Sequence, residues 1–540
     1  MRTSLHIAWL AAVAVELAAA PAQVTSPPMT LQLSDYLAMP VTGIPEGAGN
    51  DGSLARINFM REEPGTAGRW FINDLNGQLY IVDKATKKIA TYLDFNGADN
   101  RPGLFHRFTF AAGFANGLIS FQFDPDYTKN GTFYTIHLED VEQTASPLAD
   151  NAHAPGLNVS GYSATPAIRT PGEIDREAVL IEWKDSNIAN ATFEGAAREI
   201  MRVQLNTRIH PMGDMIFNPT ARPGQADWRV MYIGCGDGGS GEEHDATRQN
   251  PQRLDTLVGK ILRIIPDPTE HTDTSVISEN GRYRVPSDNP FVSMEGARKE
   301  IWAYGLRNPH RLTWDVDPAN PAENRLLAAV IGLHTWEALY VVHKGANYGY
   351  SQREGNELLK PDNTTAALPE SDVIPVQVND TKTIGTVTPA YPVIQYPHKK
   401  DIGGDAIAGG VVYRGTKLPA LRGRVIVGDV STGRIWYADY RELLAADDGR
   451  AGTLAALHDV QLLWNDPADT PDAGTRTYPT LFPIVVSAYH ARGGKDADLP
   501  GRSTVSGPAR VDMRLATDAQ GELYVFSKSD GVIRAITAVR

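Results

Sequence analysis

The chain has 540 residues, enough for a large buried core, with the 42% hydrophobic and 21% charged content of an ordinary globular protein. Its formal net charge of −13, without any Lys/Arg stripe, gives nucleic acid no electrostatic footprint. A single cysteine, Cys235, excludes an intrachain disulfide, and 49 Gly with 36 Pro favour short strands and tight turns over long helices.

At the N-terminus, Arg2 is followed by an apolar run from Ile7 to Val15 and by the small-residue triplet Ala20-Pro21-Ala22. This is the layout of a secretory signal over residues 1–22, cleaved near Gln23, and it predicts a periplasmic or secreted protein. The run is too short to span a bilayer and ends at Glu16, so no stable membrane insertion is expected. A buried N-terminal helix is the competing reading. Residues 23–68 read as an extension leading into a main domain over 69–540.

Beyond it a unit recurs: a turn rich in Asp, Asn and Gly, then a short strand with an aromatic-aliphatic pair. It reads NDLNGQLYIVD at 73–83, DPDYTKNGTFYTIH at 124–137 and DWRVMYIGCGD at 227–237. Looser copies are ENRLLAAVIG at 323–332 and GRVIVGDVSTGRIWYAD at 423–439, and DAQGELYVFSKSDGVIRAI at 518–536 echoes the first. Six such copies predict an all-β array, best arranged as a six-bladed β-propeller with long loops on one face; a β-sandwich pair is the alternative. The end-to-end echo predicts ring closure by C-terminal strands that complete the sheet of residues 69–83. Helical periodicity is scarce, the best case being Tyr440 to Ala446 with Asp439 as its cap. Residues 142–175, 354–382 and 465–476 read as long loops, expected at one mouth of the ring beside a substrate cleft.

Two places invite chemistry. His210 stands before a Gly-containing turn and a strand, and histidine is the side chain poised to take a proton near neutral pH. Viewed alone it is better explained as a structural histidine, a reading that His310, His334, His343 and His398 share. Asp237-Gly238-Gly239 reads as a tight turn or part of a cation site. In EIWAYGLRNPHRLTWD, residues 300–315, two strand-like runs flank Arg307-Asn308-Pro309, where proline stiffens the chain and holds a guanidinium and an amide together. GxSxG, HExxH, Walker A and CxxC patterns are all missing from the sequence.

Taken together, HPMGDMIF, YIGCGDGG, LDTLVGKILRI, YRVPSDNPF, the 300–315 stretch, GANYGYSQREG and GGVVYRGTKLPALRGR resemble the glucose/sorbosone dehydrogenase family, in the family's order from about Asn73 to Arg540. The resemblance implies a six-bladed propeller that oxidises an aldose-type sugar with pyrroloquinoline quinone (PQQ) and calcium. It implies that His210 is the base for the sugar hydroxyl, and that Arg307 and Asn308 contact the cofactor, with the arginine polarising a quinone carbonyl. It implies that the Gly332 carbonyl helps to hold Ca2+. The cofactor is a tricarboxylate, so further cations are expected, with Arg414 in VVYRG and Arg434 in STGRIW as candidates. No C-x-x-C-H haem attachment occurs, so electrons would leave to a separate acceptor.

The chain departs from the family pattern in places. Pro211-Met212-Gly213 follows His210 where Asn-Gly-Gly is usual, and IGLHTWEALY keeps Glu337 but has Ala338 where a second acid is common. Two alternatives stay open. One is a propeller that kept the scaffold as a secreted binding module, as the related hedgehog-interacting proteins suggest. The other is a calcium-dependent hydrolase, which requires inward carboxylates that the motifs do not supply.

Overall fold

The computed structural model describes residues 28–43, 52–65, 68–109, 116–316, 321–466, 474–505 and 507–540. The predicted signal segment lies outside them. The described chain is almost entirely β. Among its described residues no helix is long and apolar enough to cross a membrane.

Four antiparallel meanders of four principal strands follow one another, over residues 57–94, 118–205, 212–304 and 308–397. Two more, 407–466 and 513–539, are fused into one nine-stranded sheet by Met29–Ala38, which runs parallel to His458–Asp466 and antiparallel to Val532–Val539. The opening strands of the meanders are Ile57–Glu62, Leu118–Phe123, Met212–Phe217, Asn308–Asp315, Ile407–Val412 and Met513–Thr517. Each touches the next, and the last returns to the first, so they ring a common centre.

Apolar side chains fill the gaps between neighbouring sheets. One cluster joins Ile136, Leu180 and Val203 to Met215, Ile233 and Leu262. Another joins Leu327 and Leu339 to Ile407 and Val427. The strands are buried on both faces, so they read as apolar runs rather than alternating ones. Each of the six turn-strand repeats supplies an interior strand to a different meander.

Closure differs from the sequence expectation. The C-terminal strands do not complete the sheet of residues 69–83. Their partner is Met29–Ala38, a segment expected in an extension, and Ile57–Glu62 from the same interval opens the first sheet. The reason lies in pairing capacity: the 57–94 meander already has four strands, whereas 513–539 alone leaves the Val532–Val539 edge open. Helix Tyr440–Ala446 forms as expected, with Asp439 accepting from the Arg441 N–H at 2.8 Å. Phe482–Ala491, which the sequence reading did not identify, is also helical. Its run Ile484-Val485-Val486 has poor helix propensity, but buried contacts of Ile484, Val485 and Tyr489 with the last sheets override it.

A buried lysine braces the ground under the site. Lys260 Nζ donates to the carbonyls of Asn250, Pro251 and Val258 at 3.1, 2.9 and 2.6 Å. The Pro251 carbonyl also takes the Gly305 N–H at 3.0 Å, at the start of the loop that carries Arg307. Lys260→Met leaves the Val258 carbonyl without its lysine donor and the Asn250 and Pro251 carbonyls with one donor each, and is expected to cost about 2 kcal/mol, read as a lowered denaturation midpoint.

Candidate active site

His210 precedes the strand Met212–Phe217 and adopts φ +52°, which a non-glycine residue keeps only when its surroundings impose it. Its carbonyl accepts the Gly238 N–H at 3.0 Å, and the Pro211 carbonyl accepts the Gly236 N–H at 3.0 Å. A Cβ on Gly236 would meet the His210 carbonyl oxygen at 2.5 Å, so only glycine lets the two segments lie this close. Pro211 therefore does not turn the histidine away.

The ring itself is oriented by a carboxylate. His210 Nδ1 lies 2.7 Å from Asp237 Oδ1. With Asp237 ionised, Nδ1 carries the proton and Nε2 presents the lone pair. Burial pushes the Asp237 carboxyl up, but the His210 ring, the Arg307 guanidinium and the Gly239 N–H together hold it below the usual carboxylate range. That stabilisation is present above about pH 4 and is lost as pH falls through the lowered folded value.

Arg307 ends the loop between Ile301–Tyr304 and Asn308–Asp315, where Gly305 takes φ +73°. Pro309 lies inside the second strand, not in a turn. Asn308 pairs with Ile331 and Arg311 with Ala329, and the irregularity between them accommodates a residue that donates no ladder hydrogen bond. The Arg307 carbonyl accepts the Asp237 N–H at 2.7 Å, which ties the arginine loop to the histidine's partner. Its guanidinium donates to the Gly332 carbonyl and to Glu242 Oε1. Burial works against the charge, but Glu242, then Tyr350 and Asp237, raise it above the ordinary arginine value, so it stays protonated.

The loop facing Arg307 is held by two buried acids. Glu354 Oε1 accepts the N–H groups of Leu333, His334, Thr335 and Trp336 at 2.7, 2.8, 2.8 and 3.1 Å. Glu337 takes the Gly332 N–H at 3.0 Å, the Ile407 N–H at 2.6 Å and His398 Nε2 at 2.7 Å. A Cβ on Gly332 would lie 1.7 Å from the Trp336 carbonyl oxygen. Gly332→Ala is therefore expected to cost about 2 kcal/mol by overpacking. A melting temperature equal to the parent's would show that the loop yields instead.

His210, Glu242, Arg307 and Gly332 wall one cavity of about 260 Å3. It brings together His210, Arg307, Asn308 and Gly332. It does not include Arg414 or Arg434. Arg414 grips Asp315 with two bonds of 2.8 Å, on a side chain 41% exposed. Arg434 lies against Trp436 and 3.7 Å from Asp459. The cations that do line the cavity beside Arg307 are Arg311, Arg502, Arg510 and Arg514. None of the three long loop intervals lines it among the described residues. His310 also faces it, but its Nε2 donates to the Ile407 carbonyl at 2.6 Å, and burial, then Arg311 and Arg514, hold it neutral.

Sequence reasoning missed Asp237 as the orienting partner, Glu242 as the arginine's counter-ion, and these arginines. The available signals were the second arginine in LRNPHR and the ARVDMR run before the last repeat.

The apo aldose sugar dehydrogenase of Escherichia coli superposes with a TM-score of 0.52 at 16% identity, over 95% of this chain and 99% of that one, a likeness of fold. In sequence, the HIPL1 protein of Arabidopsis thaliana is 26% identical over 339 residues, 59% of this chain and 43% of that protein. This chain thus spans under half the length of the plant relatives it matches. Aldose sugar dehydrogenase YliI of Escherichia coli is 35% identical over 103 residues, 19% of this chain and 22% of that one. The profile of the "Glucose / Sorbosone dehydrogenase" family matches residues 63–451, a stretch that holds His210, Asp237, Arg307, Asn308 and Gly332. The chain belongs to the glucose/sorbosone dehydrogenase family.

Proposed function

We propose that this protein is a secreted or periplasmic six-bladed propeller dehydrogenase that oxidises an aldose-type sugar with PQQ. The observation that carries the reading is the convergence, on one cavity, of a carboxylate-oriented imidazole and an arginine-rich wall. The closed ring of opening strands supports the propeller architecture.

The cavity fits a polyanionic cofactor. Five arginines line it against two carboxylates, Glu242 and Asp405. Arg307 and Asn308 would hold the cofactor. PQQ, when bound, supplies the acceptor for a hydride. His210 takes the proton of the sugar hydroxyl at Nε2, and Asp237 steadies the imidazolium that forms. Arg307 presents a permanent planar charge where negative charge develops on oxygen. Ile119, Ile209, Leu333 and Val430 supply an apolar lining that limits water. A separate acceptor would take up the electrons.

Calcium fits less well. The Gly332 carbonyl already accepts from a guanidinium, and among the described residues no three carboxylate, histidine or cysteine side chains converge. Calcium therefore enters no step, and chelating it is expected to leave PQQ affinity within about twofold, a change too small to matter on the scale of binding free energies.

The decisive experiment adds PQQ to the purified protein and follows dye reduction with a panel of aldoses. Micromolar binding with sugar-dependent reduction is expected; no binding at that level removes the dehydrogenase reading. One observation favours a non-catalytic binding module instead: Glu242 neutralises the arginine that would face the quinone. That reading gains if PQQ is ignored by a protein that is fully folded.

A further inference from the structure

Arg311 and Arg514 come from opening strands that are not neighbours in the ring, and they meet on a third. Arg311 donates to the Asn58 carbonyl at 2.8 Å and to Asn58 Oδ1 at 3.1 Å. Arg514 Nε donates to the same Oδ1 at 3.0 Å. Gly409, from the strand between them, leaves room, its added Cβ falling 3.8 Å from Arg311 Cγ. Both arginines are buried, at 9% and 5% exposure, and both wall the cavity that holds His210 and Arg307.

What they lack is a carboxylate in direct contact, for Asp214 and Asp512 act on them only through space. Asp214 is held by Arg61 at 2.6 Å and the Leu312 N–H at 3.0 Å. Asp512 is held by Arg510 at 3.0 Å and Lys528 at 3.2 Å. Among the described residues neither Arg311 nor Arg514 makes an ion pair with a carboxylate. Burial, and then Arg514, push Arg311 well below the ordinary arginine value despite Asp214, and burial takes Arg514 down to about 10 despite Asp512. Two buried guanidinium groups on one neutral carboxamide form an arrangement that a bound anion would relieve. The planar fork of arginine matches a carboxylate best.

We infer that Arg311 and Arg514 form an anion subsite that takes the carboxylate of an organic acid bound in the central cavity. The carboxylate belongs either to the quinone cofactor or to an acidic sugar. The inference rests on this cavity being the ligand site, yet it is read by binding rather than turnover, so it fails separately from the catalytic proposal.

The test uses the full-length protein, melted and titrated by calorimetry with PQQ, D-glucuronate and D-glucose, as parent, Arg514→Gln and Asn58→Asp. In low salt and without ligand, Arg514→Gln is expected to melt no lower than the parent, because a like-charge contact is relieved. It is also expected to lose at least tenfold in affinity for the acid that binds. A loss confined to PQQ assigns the cofactor's carboxylate. Glucuronate binding tenfold tighter than glucose, with that preference lost in the variant, assigns an acidic sugar. Asn58→Asp places a carboxylate between the two guanidinium groups and is expected to abolish the same binding even if Arg514→Gln does not fold. Anion affinities within twofold of the parent in the folded variants, or no anion binding by the parent, overturn the assignment.

Discussion

Replacing His210 with alanine is expected to lower sugar-dependent dye reduction about 10³-fold, within the range by which a positioned general base contributes, while leaving PQQ affinity within about threefold. The asymmetry follows from the geometry. His210 meets the protein through its backbone and through Asp237, and the arginines that suit a polyanion belong to other strands. Alanine relieves no clash and leaves Asp237 with the Gly239 and Gly241 N–H groups at 2.9 and 3.1 Å, so the fold should persist. Asp237→Asn tests the same arrangement from behind. An amide can donate to Nδ1 and hold the wrong tautomer, so turnover should fall by about 10²-fold or more with KM for the sugar little changed. Parent-like turnover in His210→Ala removes the histidine from the chemistry.

Arg307→Ala is expected to act on both measurements, cutting turnover about 10²- to 10³-fold and weakening PQQ binding at least tenfold, the scale seen when one preorganised donor to a developing charge is deleted. It also leaves Glu242 without its ion pair and the Gly332 carbonyl without its donor. Glu242→Gln separates these contributions. It keeps the arginine and removes the charge that competes with a ligand, so PQQ should bind more tightly than to the parent. A weaker cofactor in Glu242→Gln would mean that the acid orients the arginine for binding.

The parts of this fold legible in sequence were those with local causes. Each Asp/Asn/Gly turn followed by an aromatic-aliphatic strand lies where a meander has an interior strand, because turn chemistry and β propensity act within a dozen residues. Asp439 capped its helix for the same reason. Met29–Ala38 was not legible as a sheet member, since its identity depends on partners at the far end of the chain. The site divides the same way. His210, Arg307 and Asn308 sit in motifs specific enough to name, and they line one cavity. Arg414 and Arg434 were chosen for residue type alone. Which arginine faces the centre depends on which strand opens a meander and on the phase of its alternation, and neither is visible in VVYRG or STGRIW. Asp237 read as a turn residue because a turn is also what it makes.

The strand that joins the last two meanders has a consequence in time. Met29–Ala38 leaves the ribosome before any strand it pairs with, and among the described strands its antiparallel partner Val532–Val539 is the last to follow it. The first of the described strands is thus the last to complete its pairing, and it waits with an unpaired edge while the intervening sheets assemble. A chain that stops before Val532 should stay open, prone to aggregation and sensitive to proteases at both ends. Adding the missing C-terminal strand as a separate peptide should close it, much as a latch closes a band.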